Sequence, residues 1–354
     1  MKKTLVALAV LGSFAGVASA ATSVTLYGTV DAGYEGWSYG KDFSSLNNTF
    51  VQGGTSEANS KIGVKGQEDL GNGLAATFQL EGDVNADVGS ADLFNRESTV
   101  GLKGAFGEVK VGKSKSQMEL ALGGVVPGRR VADVDLYSVA AKRHSNGLFY
   151  SYDNAGFSFG ADVTTKGGAL GNEDEGRKGQ KVGWGVRAGY AGNVGGNVTL
   201  LARAAYQRDG VVVLPNDKQQ YEAGGLLAAV VPYSNNALTV GVAYAQGRGD
   251  AADLLSAKAG DNRIYADKAR TWSGVIASTF GPNDSAYVKY QQRKGKLDDG
   301  TVAYNGNVWA IGYEHALSKR TSVYADVAYA TIKKPTVADK GTATGYSVGL
   351  SHSF

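Results

Sequence analysis

The chain has 354 residues, no cysteine, and 36 basic against 33 acidic residues. A cysteine-free chain excludes a disulfide framework, thiol chemistry and Cys–Zn sites, and a charge balance this close to neutral excludes the basic field of a nucleic-acid binder. Glycine is abundant (51), and Tyr (19) and Phe (11) far outnumber Met (2), which suits β-structure with many turns better than a helical bundle.

The first segment reads as a secretory leader. Lys2 and Lys3 form a positive start, Thr4 to Val17 an apolar stretch broken by Gly12 and Gly16, and Ala18-Ser19-Ala20 a small-residue cleavage site. Residues 1–20 are therefore expected to be removed, and 21–354 to form one domain. No later stretch approaches the ~20 apolar residues of a spanning helix. A barrel wall escapes that test, because only alternate residues of each strand face lipid.

From Ser23 onward the apolar period is two. Val24, Leu26, Val30, Ala32 and Tyr34 alternate with Thr25, Tyr27, Thr29 and Asp31. The same alternation recurs at 321–331 and at the C-terminus. Sixteen strands are predicted, near 23–35, 60–69, 73–83, 94–104, 107–113, 143–152, 156–165, 181–191, 197–208, 219–232, 237–247, 270–280, 285–294, 305–316, 321–332 and 343–354. In 94–113 the two faces are poorly sorted, since Arg96 shares parity with Val100 and Leu102; a bulge there, or a strand facing a subunit neighbour, would account for it.

Connections alternate in length. Short turns such as Asp69-Leu70-Gly71-Asn72-Gly73 and Gly281-Pro282-Asn283-Asp284 carry the residues of tight reversals. Long polar connections at 36–59, 84–93, 114–142, 166–180, 209–218, 248–269, 295–304 and 333–342 fall between them. Short turns at one rim and long loops at the other are the asymmetry of outer-membrane barrels. The predicted fold is all-β: a 16-stranded antiparallel transmembrane β-barrel with long external loops and short periplasmic turns. The longest connection, 114–142, carries Met118, Leu120, Leu122, Val125, Val126 and Leu136. It is too apolar for a solvated loop and needs a surface to pack against.

Several stretches carry a resemblance. They are Ser23 to Gly28; Ser60 to Gly66 followed by Glu68 to Leu74; Arg96 through Val100 to Gly107; Arg143 to Tyr150; Tyr313 to Thr321; and the terminal Phe354. Together, in this order, the chain resembles the general porins of Gram-negative bacteria, most closely the trimeric porins of β-proteobacteria. The resemblance implies a homotrimer in the outer membrane, in contact with lipid and lipopolysaccharide, passing small ions and hydrophilic solutes through a water-filled pore. It implies that loop 114–142 folds inward and narrows the channel. By motif position the basic wall residues of that constriction are Lys61, Arg96 and Arg143, with Lys113 at the loop's base. Lys61 departs from the family's usual Arg, keeping the charge but losing the planar guanidinium. The facing loop residues would be Glu119, Asp133 and Asp135, with Arg129 and Arg130 adding positive charge, so mild anion selectivity is expected. Phe354 matches the family's C-terminal assembly signal.

Arg187, Arg203, Lys289, Arg293, Glu81, Asp162 and Glu222 share the lumen parity and read as general lining. Aromatic residues on the apolar parity, Trp184, Tyr206, Tyr244, Trp272 and Trp309 among them, read as membrane-interface girdles. No enzyme is expected. His144, His315 and His352 lack metal-ligand spacing, and His144 and Ser145, adjacent on a strand, face opposite ways. No cofactor is expected either. Glu173-Asp174-Glu175 offers a Ca²⁺ or lipopolysaccharide-bridging site, though a solvated loop is the simpler reading. Competing readings are a barrel whose loops serve adhesion, and a substrate-specific porin marked by a lumen tyrosine or arginine track.

Overall fold

A computed structural model of the protein describes residues 22–39, 49–52, 60–86, 89–123, 131, 141–166, 181–213, 218–248, 266–333 and 340–354. In chain order these form β1 (Ser23–Tyr39), β2 (Thr49–Gln52), β3 (Lys61–Gly71), β4 (Leu74–Asn85), β5 (Ser90–Gly104), β6 (Gly107–Lys115), α1 (Gln117–Leu122), β7 (Arg143–Asn154), β8 (Phe157–Lys166), β9 (Val182–Asn193), β10 (Thr199–Val213), β11 (Lys218–Tyr233), β12 (Asn236–Arg248), β13 (Lys268–Phe280), β14 (Asp284–Lys296), β15 (Val302–Ala316), β16 (Thr321–Lys333) and β17 (Lys340–Ser353). Apart from the four residues of β2, these are the sixteen expected strands.

Every pairing is antiparallel, and from β3 to β17 each strand pairs with the next in sequence. The sheet closes because β1 is shared. Its first half pairs with β3, from Ser23 opposite Gln67 to Thr29 opposite Lys61. Its second half pairs with β17, from Thr29 opposite Ser353 to Tyr39 opposite Ala343. Closure leaves no open edge, the condition for backbone polar groups to survive in hydrocarbon. The C-terminus seals the seam: Phe354 N donates to Gly28 O at 3.1 Å and Gly28 N to Phe354 O at 3.2 Å. The Phe354 ring covers Gly28, where any Cβ would overlap it.

The period of two sorts the residues. On β13 Trp272 and Ile276 are exposed on the outer wall, while Thr271 and Val275 are buried on the inner one. The turn Gly71-Asn72-Gly73 holds three consecutive positive φ angles, 85°, 54° and 74°, as a tight reversal requires.

The structure corrects four connections. Within 209–218, β10 runs to Val213 opposite Lys218 of β11; within 295–304, β14 runs to Lys296 opposite Val302 of β15. Residues 84–93 are not a long loop: β4 runs to Asn85 and β5 begins at Ser90, with Asn85 opposite Ser90 in register. Inside 36–59, β2 folds back on β1, Ala32 to Glu35 opposite Gln52 to Thr49. The poorly sorted region is a bulge. Between β4 and β5 the register passes from Glu81 opposite Glu97 to Asp83 opposite Asp92, and Phe94 takes φ 62°. The bulge turns Arg96 and Glu97 inward together, both buried, while Val100 and Leu102 face out.

Along the seam, tyrosines step over a strand. Tyr27 on β1 lies across Gly63 of β3 and donates to Glu81 Oε2 on β4 at 3.0 Å. Tyr324 on β16 lies across Gly349 of β17 and donates to Asp31 Oδ1 on β1 at 2.6 Å. Tyr287 on β14 lies across Gly312 of β15 and donates to Asp326 on β16. In each case a side chain on the bridged residue would occupy the ring's place, so glycine is what admits the bridge.

Candidate functional site in the barrel lumen

The segment after β6 starts with a capped helical turn. Ser116 Oγ accepts from Glu119 N at 3.3 Å, and Ser116-Gln117-Met118-Glu119 has the spacing of a capping box. Helix α1 buries Met118, Ala121 and Leu122 completely or nearly so. They pack on Ala205, Leu226, Ala243 and Ala245, which are inward-facing residues of β10, β11 and β12. A wall that should face water is apolar here because the helix covers it. Further along, Val131 is 3 % exposed and packs on Tyr287, Ala310 and Ala328, from β14, β15 and β16. The segment therefore touches two separate arcs of the inner wall.

Both ends of this segment are tied to one buried cluster. His144 Nδ1 meets Asp162 Oδ2 at 2.6 Å, and His144 Nε2 meets Asp209 Oδ1 at 3.1 Å. Gln207 Nε2 donates to Asp209 Oδ1 at 2.6 Å and to Ala141 O at 3.1 Å. Gln207 Oε1 accepts from Met118 N at 3.2 Å, and Asp209 Oδ2 accepts from Ala141 N at 3.0 Å. Carboxylates accept on both sides of the imidazole, so each ring nitrogen carries a proton and His144 is a cation between two anions.

The expected basic residues gather on another arc. Arg96 Nε donates to Glu81 at 2.7 Å and Arg96 Nη1 to Asp83 at 2.8 Å. Lys61 Nζ lies 3.6 Å from Glu81. Arg143 Nε lies 4.0 Å from Glu97. Glu81 thus takes Tyr27, Lys61 and Arg96 at once. With Lys113, half-buried on β6, four cations meet three carboxylates. The acids beside these bases come from neighbouring strands. Sequence reasoning had placed Glu81 in the general lining and passed over Asp83 and Glu97. Their signal is cross-strand register, which one chain does not display. Glu119 is buried on α1 (3 % exposed). Arg129, Arg130, Asp133, Asp135, the leader 1–20 and Glu173 to Glu175 lie outside the described residues.

The remaining lining falls on the inner face as read: Arg187, Lys289, Arg293, Asp162 and Glu222 are all buried there. The aromatic girdle is present on the outer wall, with Tyr244 and Trp272 rings 4.3 Å apart and Tyr290 and Trp309 rings 4.5 Å apart. Among the described residues no cluster of three His, Cys, Asp or Glu is placed to hold a metal ion.

Comparison with known proteins agrees with this architecture. A family model described as Gram-negative porin matches residues 7–335. The chain is 29 % identical to outer membrane porin protein 32 of Delftia acidovorans and 30 % identical to the major outer membrane protein P.IB of Neisseria gonorrhoeae, each over the whole of both chains. Its fold is that of an anion-selective porin from Comamonas acidovorans, with a TM-score of 0.65 at 23 % identity, covering 94 % of this chain and 100 % of that one. OmpT of Vibrio cholerae, solved in a trimer form, aligns with a TM-score of 0.62 at 15 % identity over 94 % of this chain and 100 % of that one. A closed antiparallel barrel with an apolar outer wall, a charged inner wall and a segment packed inside it belongs to an outer-membrane channel, and the chain is a member of the Gram-negative porin family.

Proposed function

We propose that the protein is a passive, mildly anion-selective diffusion pore for small hydrophilic solutes, secreted with removal of residues 1–20 and assembled as a homotrimer. The segment 114–142 narrows the channel, and solutes pass between it and the basic arc of Lys61, Arg96, Lys113 and Arg143. The observation that carries this reading is the double seat of that segment on the inner wall, α1 on the β10–β12 arc and Val131 on the β14–β16 arc.

Charges facing one another in a low-dielectric channel orient water and filter solutes by charge without holding them tightly. The wall cations exceed their partner acids by one. Arg129 and Arg130, further along the same segment, add positive charge against Asp133 and Asp135. Both nitrogens of His144 are engaged by carboxylates, and His315 and His352 bond Asp284 and Thr321 near the rim, an arrangement that favours a channel over a catalyst. The trimer reading takes support from the trimer form of OmpT.

Single-channel recording in a planar bilayer under a salt gradient tests the proposal. Open steps arriving in threes, with a reversal potential of anion-selective sign, are expected. Steps of cation-selective sign overturn the charge assignment. A folded barrel that never conducts overturns the pore.

A further inference from the structure

Inside the barrel, between α1 and the short turns, two arginines stand side by side with no acid to match them. Arg187 on β9 and Arg203 on β10 share the inner face, and register sets Arg203 opposite Gly189, two residues along from Arg187. Arg187 is 9 % exposed, and its Nε has no hydrogen-bond partner. No described ion pair involves either guanidinium. The acids of β7 to β10 are otherwise placed. Asp162 and Asp209 are engaged by His144. Asp153, which acts on Arg187, is exposed at the end of β7 and makes no ion pair with it. A cation taken out of water without a counter-charge is costly, and a second cation beside it adds repulsion.

Three donors converge at this point. Arg187 Nη1 donates to Ser158 Oγ on β8 at 3.0 Å, which leaves the hydroxyl proton free to donate in its turn. Gly189 lies between Ser158 and Arg203. A Cβ there would come within 2.7 Å of Ser158 Oγ and 3.1 Å of Arg203 Cγ, so glycine is what lets the two close on one another across β9. Ser158 and Arg203 are only partly buried, which leaves the group a way to the lumen. Arg203 Nη1 also donates to Leu120 O at 3.3 Å, so the site touches the end of α1. Donors from three strands with no carboxylate among them suit an anion supplied from outside. A halide has no directional acceptors for them, and a planar carboxylate has two oxygens for three groups. A tetrahedral oxyanion offers an oxygen to each.

We propose that Arg187, Arg203 and Ser158 form a binding site for a tetrahedral oxyanion, phosphate or sulfate, on the periplasmic side of α1. The site is separate from the arc of Lys61, Arg96, Lys113 and Arg143, which lies on β3 to β7 and carries its own acids. The inference rests on the reading of the lumen as an aqueous path, because the anion reaches the site through it.

The test uses the folded full-length mature barrel in neutral detergent. Phosphorus NMR line broadening of inorganic phosphate reads binding without any need for conduction, and sulfate, acetate and chloride serve as competitors. Saturable broadening is expected, reversed by sulfate at concentrations like those of phosphate itself, and by acetate or chloride only at far higher ones. R187Q and R203Q should each weaken phosphate about tenfold or more. Arg203 is the less buried of the two, so R203Q carries the test should R187Q fail to fold. The double variant K61Q/R143Q on the other arc should bind phosphate as the parent does. Absence of saturable broadening, unaltered binding by R203Q, or loss of binding in K61Q/R143Q overturns the site. Acetate or chloride competing as well as sulfate overturns the tetrahedral class. Planar-bilayer recording of the same preparation separates the two readings: a barrel that binds phosphate but never conducts keeps the site and overturns the pore, and one that conducts without binding phosphate does the reverse.

Discussion

Two arcs of the same inner wall are built on opposite plans. On β10–β12 the inward residues include Leu201, Ala205, Leu226, Ala243 and Ala245, and they are covered by Met118, Ala121 and Leu122. On β3–β7 they are Lys61, Glu81, Asp83, Arg96, Glu97 and Arg143, held by ion pairs. The strands are antiparallel in both arcs, but the ionic arc carries register shifts at Glu81/Asp83 and Gly112/Ser114, and the first of these brings Arg96 and Glu97 inward together. The contrast follows from what each face carries: the first is covered by an apolar helix and gains by apolar burial, and the second, with Glu81, Arg96 and Glu97 also buried, keeps its charges because they neutralise one another in pairs. The inner wall of this barrel is thus part apolar core and part ionic network, and α1 covers the apolar part.

The comparison breaks most completely at the buried cluster beside the apolar arc. Replacing His144 by Leu leaves Asp162 and Asp209 buried without their shared cation, a loss of about 3–5 kcal/mol. Urea unfolding in detergent micelles should show a lowered midpoint, and single channels should flicker, because both ends of the inner segment hang on that cluster. Arg96→Leu on the ionic arc strands Glu81 and Asp83 in the same way. Its cost should be smaller, about 2–3 kcal/mol, since Lys61 and Tyr27 remain with Glu81.

A second break is Leu226→Ala. It empties part of the seat under Met118 and Leu122 and should cost about 2–3 kcal/mol. Single-channel conductance should rise as the segment loosens, with selectivity unchanged. An unchanged conductance means that the seat does not hold the segment. Lys61→Gln together with Arg143→Gln sharpens the contrast from the other side, shifting the reversal potential towards cations with stability nearly unaltered. The smallest effect belongs to the rim. Asp284→Asn weakens the acceptor for Tyr313, at 2.5 Å, and His315, at 2.8 Å. The site is solvent-exposed and screened, so the unfolding midpoint should barely move.

Legibility in the sequence follows the same division. The strands were readable because lipid on one side and water or protein on the other enforce a period of two, as at Val24 to Tyr34. The bases Lys61, Arg96 and Arg143 were readable through their motifs. Asp83 and Glu97 were not, because their partners lie on strands whose register is set by turns and by the bulge near Phe94. Helix α1 carried only a Ser116-to-Glu119 cap, and six residues are too few for a helical period to show. The short β2 inside 36–59 was missed for the same reason. The pairing of Arg187 with Arg203 emerged only once register set β9 beside β10.

The seam at β1 carries a consequence for the order of events. Thr29 bonds Ser353, and Tyr324 reaches Asp31 across β17, so the two ends of the chain share hydrogen bonds that nothing nearer in sequence replaces. Contacts of such separation are slow to form because the whole intervening chain must first be confined. Until then the first and last strands are both unpaired edges. The protein's most hazardous moment is therefore the interval before its last residues arrive, and the ring of Phe354 on Gly28 is the latch that ends it.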